Sequence, residues 1–169
     1  MRSENRRQKV LEVLQSATGP VSAATLAGEF SVSRQVIVGD IALLRAAGIE
    51  ISATPRGYVI LREVSGITRQ VACQHASDVM ETELNVMVDN GCTVVDVIVE
   101  HPIYGQLTGP LHLSSRYDVQ QFIQRCAQSS AHPLSHLTEG IHLHTLSCPT
   151  EDAFLRTKKV LEDMGILLQ

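Results

Sequence analysis

The sequence contains no tryptophan, and aromatic residues of all kinds make up only 4% of its 169 residues. Hydrophobic residues nevertheless account for 44%, so we expect a core built from aliphatic side chains. No apolar run approaches the roughly 18 residues that a membrane-spanning helix needs. The basic start leads into an amphipathic segment rather than an apolar signal region. We therefore expect a cytoplasmic protein without a membrane partner, made of one large or two small domains.

Cysteine is scarce and no two cysteines are paired as CxxC. The four residues are Cys73, Cys92, Cys126 and Cys148. Their wide spacing argues against a zinc ribbon or a thioredoxin-type motif. In a chain without an export signal, they are interpreted as buried thiols of a cytoplasmic protein.

Motifs of the common enzyme classes are also missing. The sequence has no glycine-rich phosphate loop, no nucleophile elbow and no HExxH pair. Glu100 beside His101 could act as a base, but a carboxylate at a strand end is usually only solvated. We expect a protein that is not an enzyme. The alternative is a metal-dependent small-molecule enzyme with a DNA-binding leader domain.

Charge and histidine divide the chain in the same place. Residues 1–62 hold eight Lys/Arg against five Asp/Glu, a net charge of +3, while residues 63–169 hold six against thirteen, a net charge of −7. All seven histidines lie between His75 and His144. This asymmetry predicts two domains, residues 1–64 and 65–169. The basic first domain suits nucleic acid, and the acidic second domain must serve another purpose.

The segment from Ser31 to Ile60 is the most informative part of the first domain. Apolar residues recur at Ile37, Ile41 and Leu44, the spacing of a helix packed on one face, and Gly48 is placed to end that helix. Two β-prone runs follow, at 49–53 and 57–61. Two shorter helices are predicted in front, at 6–17 and at 23–30 behind a Ser22 cap. This order is that of a winged helix-turn-helix.

The face of the predicted helix away from its apolar stripe carries polar residues that can reach phosphates and base edges. A plain three-helix bundle with a hairpin remains the alternative, because an apolar stripe by itself indicates only a core. Gly39 lies on the outward face, where it should cost about 1 kcal/mol relative to alanine. Close approach of the backbone to DNA could explain it, and so could drift. The candidate DNA contacts are Ser33, Arg34, Gln35, Arg45 and, in the wing, Arg56.

The second domain reads as alternating strands and helices. The periodicity predicts strands at 67–74, 92–100, 106–113 and 141–146, with helices at 77–90, from 114 or 115 to 130, and at 150–164. The order βαββαβα predicts an α+β sandwich, with helices on one face of a mainly antiparallel sheet. The open face is left to bind something or to pair with a second copy.

A metal site is the most specific possibility for that open face. His142 and His144 flank Leu143 on a predicted strand, so their side chains point to the same side. Two imidazoles in this arrangement can share one ion, or they can simply be exposed or hydrogen-bonded. His75 and Glu83 are possible further ligands, although sequence spacing cannot show that they converge.

The combined motifs resemble a known family. A winged helix with VSRQ, DI and LR signatures precedes a strand-end histidine, an EHPIYG turn and a GIHLHT strand. In this respect the chain is similar to the 3H-domain transcription regulators, within them to the niacin-responsive repressors of NAD synthesis and nicotinate transport genes. The resemblance covers nearly the whole chain and depends most on the HPIYG and GIHLHT motifs.

The resemblance implies a homodimer whose second domain has a fold related to the phosphocarrier protein HPr. It also implies one divalent transition metal per subunit, nickel or zinc. The ligands carried over to matching positions would be His75, Glu83, His142 and His144. A larger polar residue is expected where this chain has Gly39, so its operator sequence should differ from those of relatives.

The function implied is that of a repressor that binds operator DNA with nicotinic acid as corepressor. The pyridine nitrogen or carboxylate of nicotinate could complete the coordination of the metal. His101 and Tyr104, in the predicted turn, are the candidate hydrogen-bonding partners of this effector, although His101 could equally be an ordinary turn residue. A second domain that only dimerises is the remaining alternative.

Overall fold

The computed structural model describes residues 3–60 and 66–168. The chain divides into two compact units, residues 1–63 and 64–169. Each unit has its own cluster of buried apolar side chains. The predicted boundary between residues 64 and 65 and the predicted last wing residue, Leu61, lie outside the described residues.

The first unit contains three helices followed by a two-stranded hairpin. The elements are α1 (Ser3–Ser16), α2 (Ala23–Glu29), α3 (Arg34–Ala46), β1 (Ile51–Thr54) and β2 (Gly57–Ile60). The hairpin is antiparallel. This is the predicted winged helix-turn-helix order.

Hydroxyl caps fix the start of two helices. Ser22 accepts a hydrogen bond from the backbone N–H of Thr25 at the start of α2, and Ser33 accepts one from Val36 at the start of α3. The first wing strand begins at Ile51 rather than at the predicted Ile49. The reason is that the Ile49 N–H still donates to the Leu44 carbonyl and completes the end of α3.

A third short segment extends the wing. Val21 pairs with Tyr58 through two backbone hydrogen bonds of 2.9 Å each, so the turn before α2 lies against β2. A Cβ atom on Gly57 would lie 2.4 Å from the Val21 carbonyl oxygen. Glycine at this position therefore allows the backbone of the wing to pack directly on the helical part of the unit.

The core of the first unit is aliphatic, as expected, and it contains one buried carboxylate. Asp40 of α3 is 3% exposed. Arg6 of α1 donates to it through Nε at 2.6 Å and Nη2 at 3.2 Å. This two-pronged ion pair joins α1 to α3. The apolar core residues are Val10, Leu14, Ala23, Leu26, Ile37, Ile41, Leu44 and Ile51.

The second unit follows the predicted βαββαβα order. Its elements are β3 (Ile67–Gln74), α4 (Met80–Asp89), β4 (Thr93–His101), β5 (Gly105–Leu113), α5 (Arg116–Gln128), β6 (Ile141–Cys148) and α6 (Glu151–Asp163). Short 3₁₀ turns occupy Ser77–Val79 and Leu134–Thr138. The structure thus confirms the predicted α+β class.

The four strands form one antiparallel sheet in the order β3-β6-β4-β5. Helices α4, α5 and α6 contribute Leu84, Val119 and Phe154 to the same core cluster as the sheet residues Val71 and Leu146. All three helices therefore pack on one face of the sheet, which gives the predicted two-layer arrangement.

The alternation along β6 decides on which face the two adjacent histidines lie. His142 and His144 are buried together with Leu146 and Cys148, while the intervening Leu143 is 36% exposed. Side chains two residues apart share a face, so both histidines point toward the helices. The expectation of a metal site on the open face was wrong. The reason is that both histidines lie an even number of residues before Leu146 and Cys148, the core residues of β6, and therefore share their face.

The sheet also places two cysteines together. Thr93 of β4 pairs with Ser147 of β6, which brings Cys92 and Cys148 side by side, and their sulfur atoms form a disulfide. The expectation of four buried thiols is corrected here, because strand register brings together residues far apart in sequence. Cys73 is a buried free thiol, and Cys126 is partly exposed.

Over residues 3–60 and 66–168, no helix of the structure is both long and apolar enough to cross a membrane.

Candidate metal centre and nucleic-acid interface

The four side chains predicted as metal ligands lie together beneath the helices of the second unit. Glu83, on α4, is fully buried, and its carboxylate lies between three imidazoles. Its oxygens lie 2.8 Å from His75 Nε2, 3.1 Å from His142 Nε2 and 3.5 Å from His144 Nε2. The sheet and the first turn of one helix thus bring together residues 69 positions apart in the sequence, from His75 to His144.

The opposite nitrogen of each imidazole is hydrogen-bonded to a backbone carbonyl. The Nδ1 atom of His75 lies 2.7 Å from the Ala76 oxygen, that of His142 lies 2.8 Å from Gly140, and that of His144 lies 2.7 Å from Asp96. A carbonyl can only accept, so each Nδ1 must donate. In the neutral imidazole this leaves Nε2 as the electron-pair donor. Three such nitrogens are then directed toward the carboxylate.

This arrangement concentrates electron-pair donors in a buried space. Neutral Nε2 atoms and a carboxylate all accept hydrogen bonds, and none of them can satisfy another without a proton or a cation between them. The carbonyl bonds to Nδ1 are the contacts that orient metal-bound histidines in proteins generally. The donor chemistry of the cluster therefore fits a divalent transition metal ion.

The pKa values of Glu83 and His75 show how strongly the members of the cluster interact. Burial by itself would raise the pKa of Glu83, but hydrogen bonds from His142, His144 and His75 outweigh it and hold that pKa far below its ordinary value. Burial likewise opposes the charged form of His75. The hydrogen bonds to Glu83 and to the Ala76 carbonyl prevail, and the pKa of His75 is raised.

One candidate ligand was missed by sequence reasoning. Cys73 pairs with His142 across β3 and β6. Possible ligand atoms of Cys73, Glu83 and His142 all lie within 4.8 Å of one another, a group that could hold a metal ion. Burial and the nearby Glu83 carboxylate raise the pKa of the Cys73 thiol well above its ordinary value. Its position on β3, two residues before His75, was the available signal.

Two backbone features that orient the histidines were also missed. Gly140 adopts a φ of +89°, and a Cβ there would lie 2.4 Å from the His75 carbonyl oxygen. Glycine thus lets its own carbonyl reach His142. On β4, Val95 is an extra residue relative to β6, in a bulge between Val94 and Asp96, next to the Asp96 carbonyl that accepts from His144. The glycine before HLH was a readable signal, whereas the bulge was not.

The predicted effector residues lie at the tip between β4 and β5. His101 and Tyr104 contact each other, with ring centroids 5.0 Å apart, and Tyr104 is 73% exposed. The His101 Nδ1 atom accepts from the backbone N–H groups of Ile103 and Tyr104. The contacts described for these two side chains are within the turn and do not join them to the histidine cluster.

The predicted DNA contacts lie at both ends of α3 and in the wing. Arg34 and Gln35 are exposed in the first turn of α3, next to the Ser33 cap. Arg56 is half-buried at the turn between β1 and β2. The first-turn residues thus occupy the part of a recognition helix that enters the major groove in helix-turn-helix proteins.

Arg45 makes internal contacts at the other end of α3. Its Nε donates to the Ile51 carbonyl at 2.7 Å. Its guanidinium carbon also lies 5.9 Å from the centre of the Tyr58 ring, within the range of a cation–π contact. Arg45 therefore attaches the recognition helix to the wing, a role that its predicted DNA contact did not include.

Together, an exposed helix-turn-helix and a separate domain with buried ligand donors define a DNA-binding regulator. Residues 6–59 match an HTH domain, and residues 68–169 match the 3H domain. The chain belongs to the 3H-domain family, as the sequence motifs predicted.

Two relatives extend over nearly the whole chain. The chain is 43% identical over 166 residues to the probable transcription repressor NiaR of Thermotoga maritima, covering 98% of this chain and 95% of the relative. It is 41% identical over 169 residues to the transcription repressor NadR of Bacillus subtilis, covering 98% and 94%. These similarities indicate a DNA-binding repressor rather than an enzyme with a DNA-binding leader.

Proposed function

We propose that this protein is a transcription repressor whose operator affinity depends on a divalent metal held by His75, Glu83, His142 and His144. The observation that carries the proposal is the direction of the imidazoles. Each Nδ1 is hydrogen-bonded to a carbonyl, and each Nε2 is directed at the buried Glu83 carboxylate. A structural ion cluster would not need all three imidazoles to present the same nitrogen, Nε2, to the carboxylate.

The donor set favours transition metal ions, and the family resemblance points to nickel or zinc among them. Three imidazoles and one carboxylate suit nickel or zinc better than magnesium or calcium, which prefer oxygen ligands. When bound, the ion supplies a Lewis-acidic position that accepts an additional ligand. We therefore propose one nickel or zinc ion per subunit.

The charge of this donor set favours an anionic effector. Three neutral imidazoles and one carboxylate leave a divalent ion with a net charge of +1. An uncompensated charge in a buried site is costly, so a ligand that brings one negative charge stabilises it. Nicotinic acid carries a carboxylate and a pyridine nitrogen, and the resemblance to niacin-responsive repressors supports it as the effector.

His101 and Tyr104 are proposed to contact that effector from the β4–β5 turn. The His101 Nδ1 atom accepts from two backbone N–H groups, which leaves its Nε2–H as a donor in the neutral ring. A carboxylate could accept from this group and from the Tyr104 hydroxyl.

The DNA-bound form is proposed to be a homodimer that binds a palindromic operator. One winged helix contacts a single half-site, so a two-fold dimer formed through the second domain would present two recognition helices. Ser33, Arg34, Gln35 and Arg45 on or next to α3, and Arg56 in the wing, are the proposed contacts. The family resemblance points to genes of NAD synthesis and nicotinate uptake as the targets.

A mobility-shift titration with the full chain tests the proposal. The probe is a duplex that the chain itself selects from random-sequence DNA, with and without stoichiometric nickel or zinc and with added nicotinate. We expect metal and nicotinate together to tighten binding, and EDTA to remove that response while far-UV circular dichroism stays unchanged. A nicotinate response that persists in thoroughly metal-free protein would overturn the proposal.

A further inference from the structure

The recognition helix presents two large apolar side chains to solvent. Leu43 is 54% exposed and Val36 is 37% exposed, although both lie on a short helix that has a well-formed core on its other side. Gly39 lies between them, one turn from each, and is also exposed. Helical positions three and four residues apart are neighbours on the surface. These three residues therefore form one continuous patch, called here the apolar reading face.

The patch is free of negative charge. Asp40 is the acidic residue of α3, and it is buried against Arg6. Arg34 and Gln35 lie at the N-terminal end of the same helix. The apolar reading face is therefore compatible with a polyanion, and its first turn carries a cationic group. Because the patch is continuous with the candidate DNA contacts, DNA is its most suitable partner, with the patch lying in the major groove.

Gly39 is costly for the folded protein and is not required by its packing. A Cβ atom at this position would meet nothing within 4 Å, so the free protein offers no steric reason for glycine. Glycine inside a helix is less favourable than alanine. Glycine also permits close approach of the backbone to another molecule. The missing side chain thus matches a surface that a ligand contacts directly.

We propose that Val36 and Leu43 recognise thymine methyl groups in the major groove, with Gly39 as the point of closest backbone approach. Apolar side chains distinguish thymine by its C5 methyl group, which the other bases lack. This inference rests on the proposed DNA-binding function and adds to it the bases that are read. Arg34 and Gln35 would contact base edges by hydrogen bonds, whereas the apolar reading face would select thymine by shape.

The test replaces single thymines by uracil in the duplex selected by the full chain. This change removes one methyl group and leaves the Watson–Crick pairing intact. At one or two positions in each half-site, wild-type affinity should fall about 3- to 5-fold, the effect of one methyl group transferred from a nonpolar contact to water. In the Leu43→Ala or Val36→Ala variant, the same replacement at the corresponding position should cause no further loss of operator affinity.

Matched variants separate recognition from stability. Leu155 is 52% exposed on α6, so Leu155→Ala removes an equally exposed leucine and should leave operator affinity unchanged. Gly28 is a helical glycine in α2 with equal space for a Cβ. Gly28→Ala and Gly39→Ala should both raise the thermal midpoint, but Gly39→Ala alone should weaken operator binding, by about 10-fold.

The outcomes distinguish this inference from the proposed function. If the chain selects no DNA sequence, the proposed function itself fails. If the chain binds a selected operator but no uracil replacement changes its affinity, the apolar reading face does not recognise thymine. If Leu43→Ala changes the mass in sedimentation instead of the base preference, the face is a contact between copies, which also overturns the inference.

Discussion

The two units of this protein bury charge in opposite ways. In the winged helix, the buried Asp40 is neutralised by Arg6 from a neighbouring helix. In the sheet domain, the buried Glu83 faces three imidazoles that can neutralise it only by taking up protons or by sharing a cation. In the first arrangement the carboxylate and the guanidinium neutralise each other, and the pair stabilises the fold. In the second, the acceptor atoms need a proton or a cation between them, and this requirement indicates a ligand.

The largest expected effect comes from removing the charge of the incomplete cluster. Glu83→Gln keeps the shape of the side chain but removes an anionic ligand, and metal affinity should fall by more than about 100-fold, the upper range for losing a partner outside the metal's own ligands. Isothermal titration with zinc or nickel measures it. Glu81→Gln, on the same helix but exposed, is the control. Equal affinities for the two variants would show that Glu83 is not a ligand.

The next effect concerns the backbone beneath His142. Gly140→Ala should destabilise the second unit by about 3 kcal/mol, because it adds a left-handed alanine and a contact of 2.4 Å with the His75 carbonyl. Gly165→Ala has a similar φ of +68° and open space, and should cost only about 1 kcal/mol. Urea unfolding compares them. If both variants lose the same stability, packing against His75 is unimportant.

A smaller effect is expected from breaking the Arg6–Asp40 ion pair in the winged helix. Asp40→Ala leaves Arg6 without its carboxylate and opens a small gap between α1 and α3, so the thermal midpoint should fall by several degrees. Metal affinity should stay unchanged. The comparison is Lys159→Ala, which removes an exposed ion pair with Asp163 and should leave the midpoint where it was. If Asp40→Ala lost its metal, the Arg6–Asp40 pair would not be independent of the Glu83 cluster.

Acidification should release the metal before it unfolds the protein. Metal binding requires neutral imidazoles, and the pKa of His75 in the metal-free cluster is raised above its ordinary value of 6.5. Protons therefore compete already above pH 6.5, and metal affinity should fall as the pH decreases through this raised pKa. Affinity measured against pH with a competing chelator gives the profile. A flat profile between pH 8 and pH 6, roughly the range in which histidines titrate, would speak against imidazole ligands.

The smallest effect is expected at Cys73. We expect the sulfur to lie beside the four proposed ligands rather than to bind the metal, so Cys73→Ser should retain stoichiometric metal. The cobalt form of the wild type should lack the near-ultraviolet absorption of a thiolate–metal bond. Presence of that absorption in the wild type and its loss in Cys73→Ser would make Cys73 a ligand and require a revised donor set.

Most of the secondary structure could be predicted because its signals are local. Apolar spacing at Ile37, Ile41 and Leu44 located α3, and alternation located β3 at its observed bounds. The hydroxyl of Ser22 indicated the start of α2 correctly. Errors arose where non-local contacts decide. The wing strand began later than predicted because the end of α3 retains Ile49, and Cys92 met Cys148 because of strand register.

The sequence named the four side chains of the cluster but did not show where in the fold they lie. Motifs of the GIHLHT strand and the family resemblance named His75, Glu83, His142 and His144. They did not show that these residues converge or that Cys73 lies beside them. Nor did they show that Gly140 and the bulge at Val95 position the backbone carbonyls that accept hydrogen bonds from His142 and His144. Each of those facts depends on how two strands pair. Sequence spacing along a single strand does not contain that information.

The amino-acid sequence by itself determined the order of helices and strands, the opposite charges of the two halves and the kind of donor atoms available to a metal. These depend on residue type and on periods of two or 3.6 residues, which are properties of a single segment. The tertiary structure alone decided that the histidines face the helices and that Arg45 attaches the recognition helix to the wing. Sheet register and helix packing bring distant segments together, and only there do the four separate side chains form one cluster.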